Sequence, residues 1–216
     1  MAKHFKTDFY RLVNDCVYIR VPKNASNSIR VAITKNYKDF DYKKILFNFE
    51  DLDLSKVENV FTISRNPFDR LVSCYSDRCK SPGRLRTNPK FVKLSWPNFV
   101  RAVSKTPDDD SDHHFRSQHW FAQPFESYEN FHSFKLEEIS EIWNEILTLL
   151  KIENETKIPH RKKSGGRVGR WYQNKNKNSN YINIPNIKYQ RYDAELKELV
   201  INRYKKDFEF FGYPIP

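Results

Sequence analysis

From Val17 to Ile29 the chain reads Val-Tyr-Ile-Arg-Val-Pro-Lys-Asn-Ala-Ser-Asn-Ser-Ile, an apolar run that passes straight into small polar residues and then into a helical pattern. Val17, Ile19 and Val21 alternate as β-branched residues do in a buried strand. Pro22 ends the run, because proline has no N–H to give to a ladder. After Lys23, Asn24, Ala25, Ser26, Asn27 and Ser28, the apolar residues Ile29, Ala32, Ile33 and Tyr37 fall on one helical face. A strand, a tight turn and a helix start in succession aim unpaired backbone N–H groups and the positive end of a helix dipole at one point. The Ser26 and Ser28 hydroxyls and the Lys23 ammonium would converge there, which suits a phosphate or sulfate group. The alternative is that Ser or Asn simply caps the helix. The glycines of G-x-x-x-x-G-K-[ST] are absent, so the turn is not a Walker A loop.

The 216 residues can bury a sizeable core, and the simplest division is a single domain, 1–216. With 38% hydrophobic and 15% aromatic residues and no long biased tract, the chain falls outside the disordered class. Its net charge of +11 is unevenly spread, since 157–191 holds ten Lys or Arg residues and no Asp or Glu. That implies a polyanionic partner: a nucleotide, a nucleic acid, an acidic glycan or a membrane surface. The opening Met-Ala-Lys-His-Phe-Lys-Thr-Asp has no apolar stretch of the signal-peptide kind, and no run approaches the roughly 18 apolar residues of a membrane span. Cys16, Cys74 and Cys79 are odd in number and read as reduced thiols. A cytoplasmic protein is expected.

Lys44 to Phe49 fits a short strand and Glu50 to Glu58 a loop with one helical turn. Val57 to Ser64 reads as a second buried strand, and it runs into a helix over Arg65 to Tyr75 with Pro67 in its first turn, where proline is tolerated. Arg65 then stands at the carboxyl end of a strand, and Ser73 lies about two turns into the helix. In open parallel sheets ligands bind at such strand ends. The plainer reading makes Arg65 a surface residue and Ser73 an ordinary helix serine.

These two stretches together resemble the sulfotransferases. Pro22 to Ser28 is similar to their 5′-phosphosulfate loop, and Arg65-Asn-Pro-Phe-Asp-Arg-Leu-Val-Ser-Cys-Tyr75 to their 3′-phosphate motif, R-x-P-x-x-R-L-x-S-x-Y. The flavour is that of the carbohydrate (family 2-like) group. The resemblance implies an α/β, P-loop-like three-layer fold with a central, mostly parallel sheet flanked by helices. It also implies 3′-phosphoadenosine 5′-phosphosulfate (PAPS) as donor. Lys23 and Ser28 would grip the 5′-phosphosulfate, within a loop formed by Pro22, Lys23, Asn24, Ala25, Ser26, Asn27 and Ser28. Arg65 and Ser73 would hold the 3′-phosphate. Asn27 stands where relatives more often have Thr.

Trp96 to Ser104 reads as a short helix after a basic, Pro-punctuated surface excursion from Lys80 to Pro97. The segment from Asp108 to Phe121, Asp-Asp-Asp-Ser-Asp-His-His-Phe-Arg-Ser-Gln-His-Trp-Phe, admits three readings. Asp and His are competent metal ligands, but a contiguous acidic run rarely converges on one ion and the family needs no metal. Asp108 to Asp110 fit a solvated acidic loop. A histidine general base for an acceptor hydroxyl is the third reading. Asp112 to Gln118 resembles the family's D-x-H-[WF]-x-x-Q segment, which puts His114 forward as the base, with His119 as the alternative.

A strand is expected over Phe131 to Leu136. Ile139, Ile142, Trp143, Ile146, Leu147 and Leu150 then form the stripe of an amphipathic helix. Leu196, Leu199, Val200, Tyr204, Phe208 and Phe211 repeat the pattern and stop at Gly212. Between these helices the basic segment 157–191 reads as a lid over the donor, contacting it through Arg161 and Lys162, or as a track for an anionic acceptor. Composition alone equally allows a solvated basic loop followed by an Asn/Lys-rich linker.

The expected reaction is in-line transfer of sulfonate to an acceptor hydroxyl, with a carbohydrate expected as acceptor and no metal required. Two other classes compete. A P-loop-type kinase would show magnesium dependence. A non-catalytic nucleic-acid binder would use the basic segment and show salt-dependent affinity for DNA without donor binding.

Overall fold

The computed structural model describes residues 10–36, 46–47, 52–76, 91, 94–153, 157–158 and 192–216. Tyr37, Lys44, Cys79, most of the 80–97 excursion, Arg161, Lys162 and nearly all of the basic 157–191 segment lie outside the described residues. The chain divides into two compact units, Met1–Arg65 with Gln118–Arg161 and Asn66–Ser117 with Lys162–Pro216. The strands are β1 (Tyr10–Val13), β2 (Cys16–Ile19), β3 (Leu46–Phe47), β4 (Asn59–Ser64) and β5 (Phe131–Lys135). The described helices are α1 (Ser26–Asn36), α2 (Pro67–Cys74), α3 (Trp96–Ser104), α4 (Gln118–Ala122), α5 (Ile139–Leu149), α6 (Ala194–Arg203) and α7 (Lys205–Phe210).

The first unit is built on a sheet with strand order β3-β1-β2-β4-β5. β2 pairs with β4 and β4 with β5 in parallel, while β1 is antiparallel to both β2 and β3. Only β1 therefore runs against the others, and the mostly parallel α/β sheet expected from the sequence is present. Alternation along the strands sorts the core. Val13, Cys16, Tyr18, Phe61, Ile63 and Phe134 face α1 and α5, meeting Ile29, Ala32, Ile33, Trp143, Ile146 and Leu147. Tyr18 and Phe61 are a cross-strand pair and stack with ring centroids 5.0 Å apart. Val17, Ile19, Val21 and Val60 take the other face with Tyr10, against Phe121 of α4 and Phe125. Helices on both faces of the sheet make three layers.

β1 is an addition to the strands expected from the sequence pattern. Asn14 and Asp15 make a two-residue hairpin turn, with Asn14 at φ 56° in the left-handed region that asparagine tolerates. An Asn-Asp pair between two apolar runs was the available signal. No helix among the described residues is long and apolar enough to cross a membrane.

The second unit gathers α2, α3, α6 and α7 around aromatic rings. Phe99 lies 5.1 Å from both Tyr75 and Phe115, and Phe68 lies 4.9 Å from Tyr192, whose hydroxyl donates to the Phe68 carbonyl at 3.0 Å. α2 begins at Pro67 rather than Arg65. Proline loses nothing at the first helical position, and Asn66 caps the helix by accepting from the Phe68 N–H at 3.0 Å. α3 occupies the expected residues. The single C-terminal helix expected over 196–211 is instead two helices, because Tyr204 leaves helical geometry at φ −113°, ψ 24°. Its ring is buried and its hydroxyl donates to the Phe115 carbonyl at 2.7 Å, a tertiary anchor to which helical periodicity is blind. Gly212, at φ 62°, makes the expected stop: the Tyr213 N–H reaches the Phe208 carbonyl at 3.0 Å, the long bond of a Schellman motif.

Candidate functional site

β2 and β4 are parallel neighbours with Ile19 opposite Thr62, so the turn after β2 and Arg65 after β4 leave the same end of the sheet side by side. From β2 the chain proceeds to β3 at one edge of the sheet, and from β4 to β5 at the other edge. This reversal is the topological switch point at which α/β sheets open a crevice for ligands.

The turn between β2 and α1 is strained. Lys23 (φ 74°) and Ala25 (φ 53°) both sit in the left-handed region without being glycine, a conformation that costs about 1–3 kcal/mol per residue and collects at ligand-binding turns. Asn24 between them is fully buried, and its Nδ2 donates to the Ile63 carbonyl at 2.8 Å and to Gln118 Oε1 at 2.5 Å. The Ala25 carbonyl accepts from the Ser28 and Ile29 N–H groups at 2.7 and 3.2 Å, which starts α1. Ser26 and Asn27, first in the helix, have no carbonyl behind them in the helix to donate to. Lys23, Ser26 and Ser28 are half-buried and Asn27 is exposed. Pro22 is buried at the head of the turn.

Arg65 joins this turn directly, its guanidinium donating to the Lys23 carbonyl at 3.3 Å. Two cationic side chains expected at separate phosphate positions are therefore carried by touching segments. Gln118, at the head of α4 and fully buried, completes the arrangement: Oε1 accepts from the Arg65 N–H at 2.9 Å and Nε2 donates to the Arg65 carbonyl at 2.8 Å. Local pattern assigns Gln118 no role beyond its place at the end of the D-x-H-[WF]-x-x-Q segment. His119 follows it on α4, buried, with Nε2 3.4 Å from a Glu126 carboxylate oxygen.

Ser73 and His114 belong to the second unit. Ser73 is buried on α2. His114 is buried and held at three points: Nδ1 lies 2.7 Å from Asp112 Oδ1, its N–H donates to the same oxygen at 2.9 Å, and its carbonyl accepts from Cys74 Sγ at 2.7 Å. Burial works against the Asp112 charge, but the bonds from the His114 ring and backbone and the nearby His113 outweigh it and hold the carboxyl well below the usual range. A carboxylate on Nδ1 leaves Nε2 as the ring nitrogen suited to take a proton. Asp112, His113 and His114 also offer ligand atoms within 4.8 Å of one another, a set of carboxylate and imidazole donors that could hold a metal ion.

Asp108 departs from the solvated loop expected for it. Its carboxylate accepts from the Ser117 N–H and hydroxyl at 2.7 and 2.6 Å and pairs with Arg203. Burial opposes its charge, yet Arg203 and Ser117 keep its carboxyl below the ordinary range. Asp109 and Asp110 are exposed as expected. The distant partner, Arg203, is what the local sequence does not reveal.

A family model described as the sulfotransferase family matches residues 10–214. The chain belongs to the sulfotransferase family, and sulfonate transfer is the activity that membership gives it. No curated protein and no solved structure matches the chain.

Proposed function

We propose that the chain acts as a single sulfotransferase domain that moves a sulfonate from PAPS to a hydroxyl of a carbohydrate acceptor, in the cytoplasm and without a metal. One observation carries the reading: parallel β2 and β4 present Lys23 and Arg65 on touching segments, two cations at one end of the sheet, as a doubly phosphorylated nucleotide requires. Lys23, with the N–H groups and hydroxyls at the start of α1, receives the 5′-phosphosulfate. Arg65 takes the 3′-phosphate, with Ser73 as a second contact and Arg161 and Lys162 as further donor contacts.

His114 Nε2 accepts the proton of the acceptor hydroxyl as that oxygen attacks sulfur. The bond from sulfur to the bridging phosphate oxygen breaks, and Lys23 stabilises the charge left on the departing 3′-phosphoadenosine 5′-phosphate. Positioning and fixed positive charge do most of such a displacement, and Lys23 and Arg65 supply charge that a metal gives elsewhere. His114 is preferred to His119 because a buried carboxylate orients its ring. His119 instead lies 3.4 Å from a Glu126 side chain that is 53% exposed.

The test is incubation with PAPS in chelator, with neutral and acidic polysaccharides as acceptors. Release of 3′-phosphoadenosine 5′-phosphate and sulfonation of a polysaccharide, both lost in His114→Ala, are expected. Transfer only from a nucleoside triphosphate with magnesium would contradict the proposal.

A further inference from the structure

The Gln118 amide meets Arg65 as a neighbouring strand residue would, accepting from its N–H and donating to its carbonyl. Arg65 lies one residue past the last β4–β5 pair, Ser64 with Lys135, so the side chain extends a ladder that the backbone has just ended. The same Oε1 also accepts from Asn24, whose amide group holds the Ile63 carbonyl of β4 as well. Asn24 and Gln118 are both fully buried, so these bonds form away from competing water. A side-chain amide is needed for this: a carboxylate cannot donate to the Arg65 carbonyl, and an apolar side chain can do neither.

We infer that Gln118 and Asn24 are positioning residues forming a clasp that fixes the distance between the Lys23 turn and Arg65, so that the two phosphate-binding positions act as one site for a nucleotide phosphorylated at both 3′ and 5′. This rests on the donor reading above. Neither residue touches the nucleotide through its clasping atoms. Their effect appears in how much a second phosphate adds to binding once the first is bound, as linked binding depends on the fit between span and separation.

The experiment is calorimetric titration with adenosine 5′-phosphate and with 3′-phosphoadenosine 5′-phosphate, on wild type, Gln118→Glu and Gln118→Leu, each checked for folding by circular dichroism. In wild type the 3′-phosphate tightens binding. In either folded variant that gain falls about tenfold, within the range for groups coupled in one hydrogen-bond network, while binding of adenosine 5′-phosphate holds. A gain unchanged in the folded variants would overturn the clasp. Failure of wild type to bind either nucleotide would instead overturn the donor reading. A measurement on wild type alone gives the same decision should neither variant fold: adenosine 5′-phosphate, which has no 3′-phosphate for Arg65, slows hydrogen exchange of the Arg65 amide if the clasp exists and leaves it unchanged if it does not.

Discussion

At Lys23 one residue has to meet two demands, an ammonium on the side chain and a φ of 74° in the backbone. Only the first is written in the residue type, since glycine would satisfy the second at no steric cost. The lysine side chain is therefore carried there at the cost of backbone strain. Lys23→Met is expected to lower turnover by about 10²–10³ with a smaller loss of donor affinity, as removal of one oxyanion donor does, measured by steady-state kinetics beside calorimetry. His114→Ala is expected to lower turnover by about 10²–10⁴, the usual share of a general base, with donor affinity kept. A variant that lost donor affinity to the same degree would place the histidine at the nucleotide instead. Lys23, Ser28, Arg65 and His114 could be put forward as candidates because each lies in a short local pattern. Gln118 and Asp108 could not be assigned that way: their partners are Arg65, Asn24 and Arg203, far away in sequence and brought close only by folding.

At the scale of elements, legibility followed hydrophobic period. β2, β4, α3 and α5 carry clear alternation or helical stripes and lie where those patterns put them. The β1–β2 hairpin and the break between α6 and α7 depend on other physics, a two-residue turn and a buried tyrosine hydroxyl. Tyr204→Phe removes that hydroxyl and leaves the Phe115 carbonyl without its donor, so a loss of about 1–3 kcal/mol is expected in denaturant unfolding. An unchanged midpoint would show that the break is held by ring packing alone. Gly212→Ala forces a Cβ into the left-handed region, and a loss of about 1–2 kcal/mol is expected from the same measurement.

Across the whole molecule, the ionisable groups set how it responds to solvent. Asp108 and Asp112 both have carboxyls held below their ordinary range in the folded state. Their contribution is therefore complete above the unfolded value near pH 3.9 and is lost as the pH falls towards the folded values. Urea midpoints should drop on acidification below about pH 4, and Asp112→Asn should flatten the drop. Burial, with the nearby Asp15 charge, pushes the Cys16 thiol up to about 12, so alkylation of Cys16 at neutral pH should require denaturant. The central claim is that β2 and β4 present a donor site with Arg65 at the 3′-phosphate. It is tested most directly by magnesium-free calorimetric titration of wild type and Arg65→Ala with 3′-phosphoadenosine 5′-phosphate. Micromolar-order binding to wild type, at least about tenfold weaker in Arg65→Ala, is the expected result, since a charge-assisted hydrogen bond is worth about 1.5–3 kcal/mol. Equal binding by the two proteins, or none by wild type, would contradict it.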